Sequence, residues 1–410
     1  MKTTRRVSVL LVMLVGALVF AANAFADDPI RERPLQILNP VVMGQGGSFT
    51  ANATGYPSLF TNPAGFGSSR GHLTIASINP WFHTLPDNIP ELIRAIELMD
   101  GDEGDEGDEE MFDFLVNEIT TNGLGLGFAG GIGYTGRGLG LGVTVAGDAF
   151  ISGRPFPFGV KGVMTSEVSL VGGLALPITL GPARLSLGAN VRPFMRVHAP
   201  MGSAEVAALL GGLFLEDDES DDPFGNLSAL NGFGIAIDAG LIAEFSALSF
   251  GLSVRDLGNT RLNYSRDSMS DVLDALDAGG LPPAATDGDR YVADTHVIPM
   301  RVNLGAAFRP ISGPLAVLFD PVIHGQITDV FDNVSEKPTS IWTRVHLGTE
   351  VRLLRFLSAR AGLNQGYVTL GGGVHLLFLD VNFAVYTREM GRNPGDKPSS
   401  GASIEASIRF

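Results

Sequence analysis

The sequence predicts an all-β protein, a transmembrane antiparallel β-barrel of about fourteen strands. Three observations lead to this prediction: strands with one apolar and one polar face, an even number of such strands, and connections that are alternately short and long. In residues 402–410, for example, apolar and polar side chains alternate without a break. A strand of this kind must bury one face against something, and its other face must suit the surrounding medium.

The candidate strands are long. Most run for ten to fifteen residues, whereas strands of soluble proteins average about five or six residues and a tilted transmembrane strand needs about 9–11. Their number is even, as in single-chain barrels of bacterial outer membranes. The candidates span 71–81, 124–135, 137–149, 161–177, 183–198, 231–245, 246–256, 298–309, 313–323, 341–354, 356–364, 368–378, 380–389 and 401–410.

The connections between these strands alternate in length, as they do in outer-membrane barrels with short periplasmic turns and longer outer loops. The alternative is a secreted β-sandwich or β-solenoid, but neither fold requires short and long connections to alternate. One expected outer connection, 365–367, is short. The short turns lie at 136, 178–182, 245, 310–312, 355 and 379, and the long loops span 82–123, 150–160, 199–230, 257–297, 324–340 and 390–400.

The N-terminus predicts export. Lys2, Arg5 and Arg6 precede a mostly apolar run over 7–20, and Ala24-Phe25-Ala26 supplies small residues for cleavage. This is the pattern of a secretory signal peptide over residues 1–26; the alternative is an uncleaved membrane helix. Since no later segment reaches 18 unbroken apolar residues, we expect no helical anchor. We therefore expect the mature protein in the outer membrane of a diderm bacterium.

Three segments do not follow the strand pattern. Residues 27–70 are rich in Gly, Pro and Asn and precede the first strand, so the barrel itself is expected over 71–410. Residues 87–120 and 202–215 are predicted to form short helices in outer loops. The acidic run 100–110 is either a solvated loop or a site for divalent cations, although it lacks the spacing of an EF-hand loop.

Composition excludes several classes of function. The chain of 410 residues carries a formal charge of −16, which disfavours nucleic-acid binding because phosphates require a basic face. It has no Cys, and its seven His show no metal-ligand spacing, so we expect no metal, no cofactor and no catalytic residue. The segment 67–71 matches G-x-S-x-G, but no strand precedes it. A membrane hydrolase using Ser69 is thus a remote alternative.

The glycines and the arginines both point to the barrel interior. Gly is abundant, with 53 residues, and repeats at alternate positions in 123–127 and 136–142, giving a small-residue face that another part of the chain can approach closely. Arginines recur on the polar faces of the strands. These either hold an anionic ligand group or form a structural network that fills the lumen. The candidate ligand contacts are Arg192, Arg255, Arg301, Arg344, Arg352, Arg360 and Arg388.

Several short motifs resemble the FadL family of outer-membrane transporters, which includes a PorV-like branch. They are the block 44–51, the block 59–66 with Asn62-Pro63-Ala64, and the stretches 251–258 and 360–364. The resemblance implies a fourteen-stranded barrel plugged by an N-terminal hatch over 27–70 that contains Asn62-Pro63-Ala64. The terminal Phe410 resembles the signal read by the barrel-assembly machinery.

The resemblance also implies a function. FadL-type barrels pass hydrophobic or amphiphilic small molecules, such as long-chain fatty acids, without energy input. The expected partners are therefore outer-membrane lipid, a hydrophobic small-molecule ligand and the assembly machinery, with no nucleic acid. The alternative is a PorV-like subunit that docks a partner protein in secretion or envelope assembly.

Overall fold

The computed structural model places long, tilted strands around one closed antiparallel barrel. It describes residues 30–84, 123–153, 159–206, 227–280, 282, 290, 292, 294–311, 313–332 and 338–410. The strands in these ranges are β1 (Ile30–Arg31), β2 (His72–Thr84), β3 (Leu124–Gly136), β4 (Leu139–Gly153), β5 (Val160–Leu180), β6 (Ala183–Met201), β7 (Ser228–Phe245), β8 (Leu248–Arg255), β9 (Thr260–Ser268), β10 (His296–Ile298), β11 (Arg301–Phe308), β12 (Phe319–Ile327), β13 (Val345–Leu353), β14 (Leu357–Asn364), β15 (Tyr367–Leu376), β16 (Leu379–Glu389) and β17 (Pro398–Arg409).

Fourteen of these strands form the barrel wall, in the order β2 to β8 and then β11 to β17. The wall closes because β17 pairs with β2. Strands β9 and β10 continue β8 and β11 toward one end of the barrel, since β9 pairs with β7 and with β10. The short strand β1 pairs with β10 in parallel. The prediction of a closed fourteen-stranded antiparallel barrel is confirmed.

The distribution of side chains is the inverse of that in a water-soluble protein. Along β16, Asp380 and Asn382 are buried, whereas Val381 and Phe383 are exposed. Ile78, on β2, is likewise 66% exposed. Apolar residues on the outside and polar residues on the inside are the pattern of a transmembrane barrel, whose outer face contacts hydrocarbon.

The two ends of the barrel differ. The tight turns at 137–138, 181–182, 246–247, 354–356 and 377–378 lie at one end, together with Phe410. We call this the short-turn end and the opposite one the long-loop end. Short turns are typical of the periplasmic side.

Several of the predicted boundaries are wrong. Residues 313–317 form a 3₁₀ helix and β12 begins only at Phe319, because Pro310 and Pro314 each lack the N–H that a ladder requires. Residues 341–343 also form a 3₁₀ turn, in which Ser340 Oγ accepts a hydrogen bond from the backbone N–H of Trp342. The predicted loop 257–297 contains β9, β10 and a helix.

The described helices are short. They are α1 (Pro40–Met43), α2 (Met269–Asp277) and the 3₁₀ helices Tyr56–Leu59, Pro63–Gly67, Gly313–Val317 and Ile341–Thr343. None of them is both long and apolar enough to cross a membrane. The predicted signal peptide 1–26, the predicted helices at 87–120, the acidic run 100–110 and residues 207–215 of the predicted helix 202–215 lie outside the described residues; residues 203–206 are helical.

The barrel wall is interrupted at one place, which we call the wall break: residues 256–259 between β8 and β9, and residues 299–300 between β10 and β11. Asp256, Gly258 and Asn259 have φ between 54° and 78°, a turn conformation that leaves the strand. One backbone hydrogen bond, from Leu257 N–H to Ile237 C=O, crosses the break to β7. Pro299 can donate no backbone hydrogen bond there.

Candidate ligand pathway through the lumen

Residues 32–71, which we call the lumen segment, fill much of the barrel interior. Their backbone runs against the inward faces of strands on several sides of the barrel. At these contacts the wall carries glycine, and a Cβ there would collide with the lumen segment or force it to move. The glycines include Gly140, Gly188, Gly240, Gly251, Gly348 and Gly362. The small-residue face noted in the sequence therefore lies where another part of the chain approaches it.

The Asn62-Pro63-Ala64 motif lies buried in this segment and joins it to the wall. Asn62 Oδ1 accepts a hydrogen bond from Ala64 N–H and caps the 3₁₀ helix Pro63–Gly67. Its Nδ2 donates to Thr50 C=O, at 2.8 Å, and to Leu252 C=O on β8. Pro63 occupies the first helical position, where an N–H would have no acceptor in the helix.

Further hydrogen bonds hold the same region. Ser186 Oγ on β6 donates to Ala64 C=O at 2.7 Å, and Ser253 Oγ on β8 donates to Thr61 C=O at 2.7 Å. Two strands beyond β8, Gln326 Oε1 on β12 accepts from two successive N–H groups of the lumen segment. The segment is thus fixed to β6, β8 and β12, and the wall supplies partners for several of its buried backbone groups.

A cavity of about 240 Å³, which we call the central cavity, lies between the lumen segment and the wall. The segment contributes apolar side chains, among them Leu35, Ile37 and Phe60. The wall contributes a group of arginines and carboxylates. The cavity therefore has an apolar side and a charged side, which suits a molecule with both kinds of surface.

The charged side is an ion-pair network. Glu167 on β5 lies 2.7 Å from Arg192 and 2.9 Å from Arg196, both on β6. Asp256 of the wall break lies 2.9 Å from Arg192, and Asp238 lies 3.1 Å from Arg255. These side chains are almost fully buried. Buried charges must be paired in this way, because an uncompensated charge in a low dielectric is costly.

Two groups in the central cavity are less well compensated. The Nη1 of Arg255 and the Nε of Arg301 are buried and form no hydrogen bond within the described part of the chain. Asp329, in the loop after β12, lines the cavity, and burial raises the pKa of its carboxyl although Arg301 and Arg344 act against this.

The seven candidate arginines do not form one site. Arg192, Arg255 and Arg301 line the central cavity. Arg344 and Arg388 lie near the long-loop end, and Arg352 and Arg360 lie near the short-turn end. The interior is not simply cationic, because most of these arginines face a carboxylate.

A second cavity of about 760 Å³ opens at the long-loop end, and residues 30–37, which we call the strap, separate it from the central cavity. The strap is held by Glu32, whose carboxylate accepts hydrogen bonds from Tyr264 at 2.8 Å and Arg196 at 3.0 Å. His296 Nδ1 lies 2.9 Å from the same carboxylate. Pro34, Leu35 and Gln36 of the strap line both cavities.

The geometry gives the hydrolase alternative no support. Ser69 is exposed at the short-turn end, and within the described residues its hydroxyl has no hydrogen bond to a histidine. His346 Nδ1 lies 2.9 Å from Gly46 C=O in the lumen segment, and His375 pairs with Asp380. Each of these histidines has a structural partner instead of a nucleophile.

The sequence prediction missed the carboxylates of the network, including Glu32, Glu167 and Asp238. A signal for one pair was present. Strands β5 and β6 form a hairpin in which Glu167 lies directly opposite Arg196. Counting back from the turn would have placed the two side chains together. Nothing in the sequence indicated that Glu32 lies beside Arg196, Tyr264 and His296.

No protein-family model and no curated protein matches the chain. Solved structures of barrels are similar to it at low identity. The toluene transporter TodX of Pseudomonas putida is 11% identical over 92% of this chain and 98% of that chain, with a TM-score of 0.45. A FadL homologue of Pseudomonas aeruginosa is 12% identical over 92% and 98%, with a TM-score of 0.43. The translocator domain of the Neisseria meningitidis autotransporter NalP is 9% identical over 84% and 90%, with a TM-score of 0.36.

Proposed function

We propose that this protein is an outer-membrane barrel that passes a small amphiphilic molecule through its lumen without energy input. The observation that carries the proposal is the central cavity, which has apolar side chains on one side and arginines on the other. A carboxylate amphiphile matches both surfaces, since Arg binds carboxylates through charge-assisted hydrogen bonds.

The remaining geometry supports a route. The second cavity collects the solute at the long-loop end, and the strap controls the access of the solute to the central cavity. Asp256 of the wall break lines the central cavity, as do the flanking residues Arg255 and Ile298. The strands β8 and β9, and β10 and β11, are interrupted there. Lateral exit there would deliver an apolar tail directly into the membrane.

The proposal is tested by direct binding. The full-length barrel is purified in a mild neutral detergent, and its retained small molecules are identified by mass spectrometry. The affinity of the barrel for octanoate is then compared with its affinity for octanol. We expect a preference for octanoate. Arg301→Gln should weaken octanoate binding by about tenfold, because one charge-assisted contact is lost. Arg261→Gln, at an exposed position on β9, serves as the control. Equal binding of both probes by all three proteins would count against the proposal.

One observation favours a second candidate, a docking subunit for secretion or envelope assembly. The lumen segment and the buried ion pairs leave a central cavity of only about 240 Å³. A barrel that serves only as a platform needs no open path. This candidate predicts a stable protein partner after affinity purification and no retained ligand.

A further inference from the structure

The short-turn end contains a cavity of about 790 Å³ that the proposed transport route does not use. Six arginines line this cavity, and we therefore call the cavity the basic mouth. They are Arg70, Arg309, Arg352, Arg355, Arg360 and Arg409. The other lining residues with ionisable side chains are two histidines, two aspartates and one tyrosine. In a chain with a formal charge of −16, so many cations around one cavity call for a counterion.

Part of this charge is already compensated. Arg360 and Arg352 lie 2.9 and 2.7 Å from the buried carboxylate of Glu350. Arg409 lies 3.2 Å from Asp380 and also contacts Glu405. Arg352 and Arg409 retain N–H donors that their carboxylates do not occupy, since a guanidinium carries five. The Nη1 of Arg360 donates in addition to Gly372 C=O and Asn382 Oδ1.

The rest of the charge is not compensated. Among the described residues, Arg70 and Arg355 have no carboxylate partner, and both are exposed at the edge of the cavity. Arg309 is paired only loosely, 3.6 Å from Asp320. The Nε of Arg409 is buried without a hydrogen bond. The basic mouth thus presents free donors that converge from the lumen segment, from β-strand ends and from a turn.

The edge of the basic mouth is apolar. Leu377, in the turn before β16, is 91% exposed, and Phe410 is 65% exposed and stacks on Phe378 with ring centroids 6.1 Å apart. Leu377 and Phe410 also line the cavity. Strand ends of a transmembrane barrel lie at the membrane surface, where aromatic side chains are enriched. Cations beside such an edge meet lipid headgroups.

We propose that the basic mouth binds a phosphate group, carried either by an anionic phospholipid of the adjacent leaflet or by a soluble phosphate compound. A phosphate offers several oxygens to several guanidinium groups at once and accepts bidentate hydrogen bonds from arginine. A bound phospholipid would attach the short-turn end to the leaflet, and a soluble phosphate compound would occupy the cavity. Neither depends on transport through the central cavity.

The test uses the purified full-length barrel in a neutral detergent. Native mass spectrometry compares retained phosphatidylglycerol with retained phosphatidylcholine, and calorimetry titrates inorganic phosphate at low salt. The variant Arg70→Gln/Arg355→Gln breaks no ion pair of the described residues, so the barrel should fold. Arg137→Gln is the matched control: Arg137 is an exposed turn arginine at the same end with φ of 54°, close to the 65° of Arg355, and it does not line the cavity.

We expect the wild type and the control to retain phosphatidylglycerol preferentially, and the double variant to retain at least about tenfold less, because two charge-assisted contacts are lost. Phosphate binding without lipid retention identifies the soluble compound as the source and still supports the site. The proposal is overturned if wild type and double variant behave alike with both probes, or if wild type binds neither phosphatidylglycerol nor phosphate.

Discussion

At the level of single residues, Asn62 shows what a short motif does in this lumen. Its carboxamide forms three hydrogen bonds that join the 3₁₀ helix, the rest of the lumen segment and β8. Gly240 on β7 leaves room for this side chain, since a Cβ there would collide with Asn62 Oδ1. The motif therefore attaches the lumen segment to the barrel wall.

Replacing Asn62 with Ala should destabilise the folded barrel by roughly 1–3 kcal/mol, because buried backbone groups lose their partners. The free energy of unfolding is measured by urea titration in detergent. Asn52→Ala is the matched control, because the Nδ2 of Asn52 is buried in the same segment without a hydrogen bond. An equal loss in both variants would contradict this role of the motif.

Glu167 is the other decisive single residue, because it pairs with both Arg192 and Arg196. Glu167→Gln should cost about 3 kcal/mol, the low end of the range for breaking a buried pair, because Arg192 keeps Asp256 and Arg196 keeps Glu32 as partners. Glu244→Gln, which removes the exposed pair with Arg184, should cost under about 1 kcal/mol. Thermal unfolding of both variants measures the difference, and similar losses would show that the Glu167 network is well solvated.

The arginines of this network could be predicted from the sequence and their partners only in part. Alternation placed Arg192 and Arg255 on inward faces, since polar residues at every second position must share a side. Pairing across strands depends on register, which the hairpin of β5 and β6 fixes by its turn. Glu32 lies 164 residues before Arg196 in the chain, and no local pattern relates the two.

At the level of elements, the sequence predicted the strands wherever alternation was regular, and it failed at the wall break. Asp256, Gly258 and Asn259 are typical turn residues. The predicted strand 246–256 ends there, and the prediction places the residues of β9 in a loop. The chain instead leaves the wall for four residues and returns to it. A turn signal in sequence does not distinguish a strand that ends from one that is interrupted.

A disulfide across the wall break tests whether this interruption opens. The side chain of Asn259 accepts a hydrogen bond from Met300 N–H at 2.9 Å, so the two residues are neighbours. The chain has no Cys, so Asn259→Cys/Met300→Cys introduces a unique pair. In lipid nanodiscs, oxidation should slow release of bound octanoate at least about tenfold if opening limits exit.

The control for this experiment is Leu252→Cys/Leu304→Cys, which joins directly opposed residues of β8 and β11 where the ladder is continuous. Oxidising this pair should leave release unchanged, because that part of the wall is already closed by hydrogen bonds. Reduction should restore the rate in the first variant. If the oxidised break variant releases octanoate as fast as the reduced one, the solute leaves by another path.

At the level of the whole molecule, the barrel reconciles an acidic chain with an apolar surface. Exposed strand residues are largely apolar, and many of the charged strand residues are buried in the interior. The number of strands could be predicted because a two-residue period repeated along most of the chain. The path of the lumen segment could not, because it depends on contacts with glycines on strands far away in sequence.

The position of the barrel in a membrane predicts a depth-dependent cost for charge on its outer face. Ile78 is 66% exposed and lies near the middle of β2, opposite Gly130 and Ala406. Ile78→Arg should destabilise the barrel in phospholipid bilayers by about 2–4 kcal/mol, as expected near the midplane. Leu377→Arg, in a turn at the short-turn end, should cost only about 0–1 kcal/mol. Urea titration of refolding into vesicles measures both. In a water-soluble barrel both substitutions would place an arginine in solvent and cost little, so equal, small effects would contradict the transmembrane assignment.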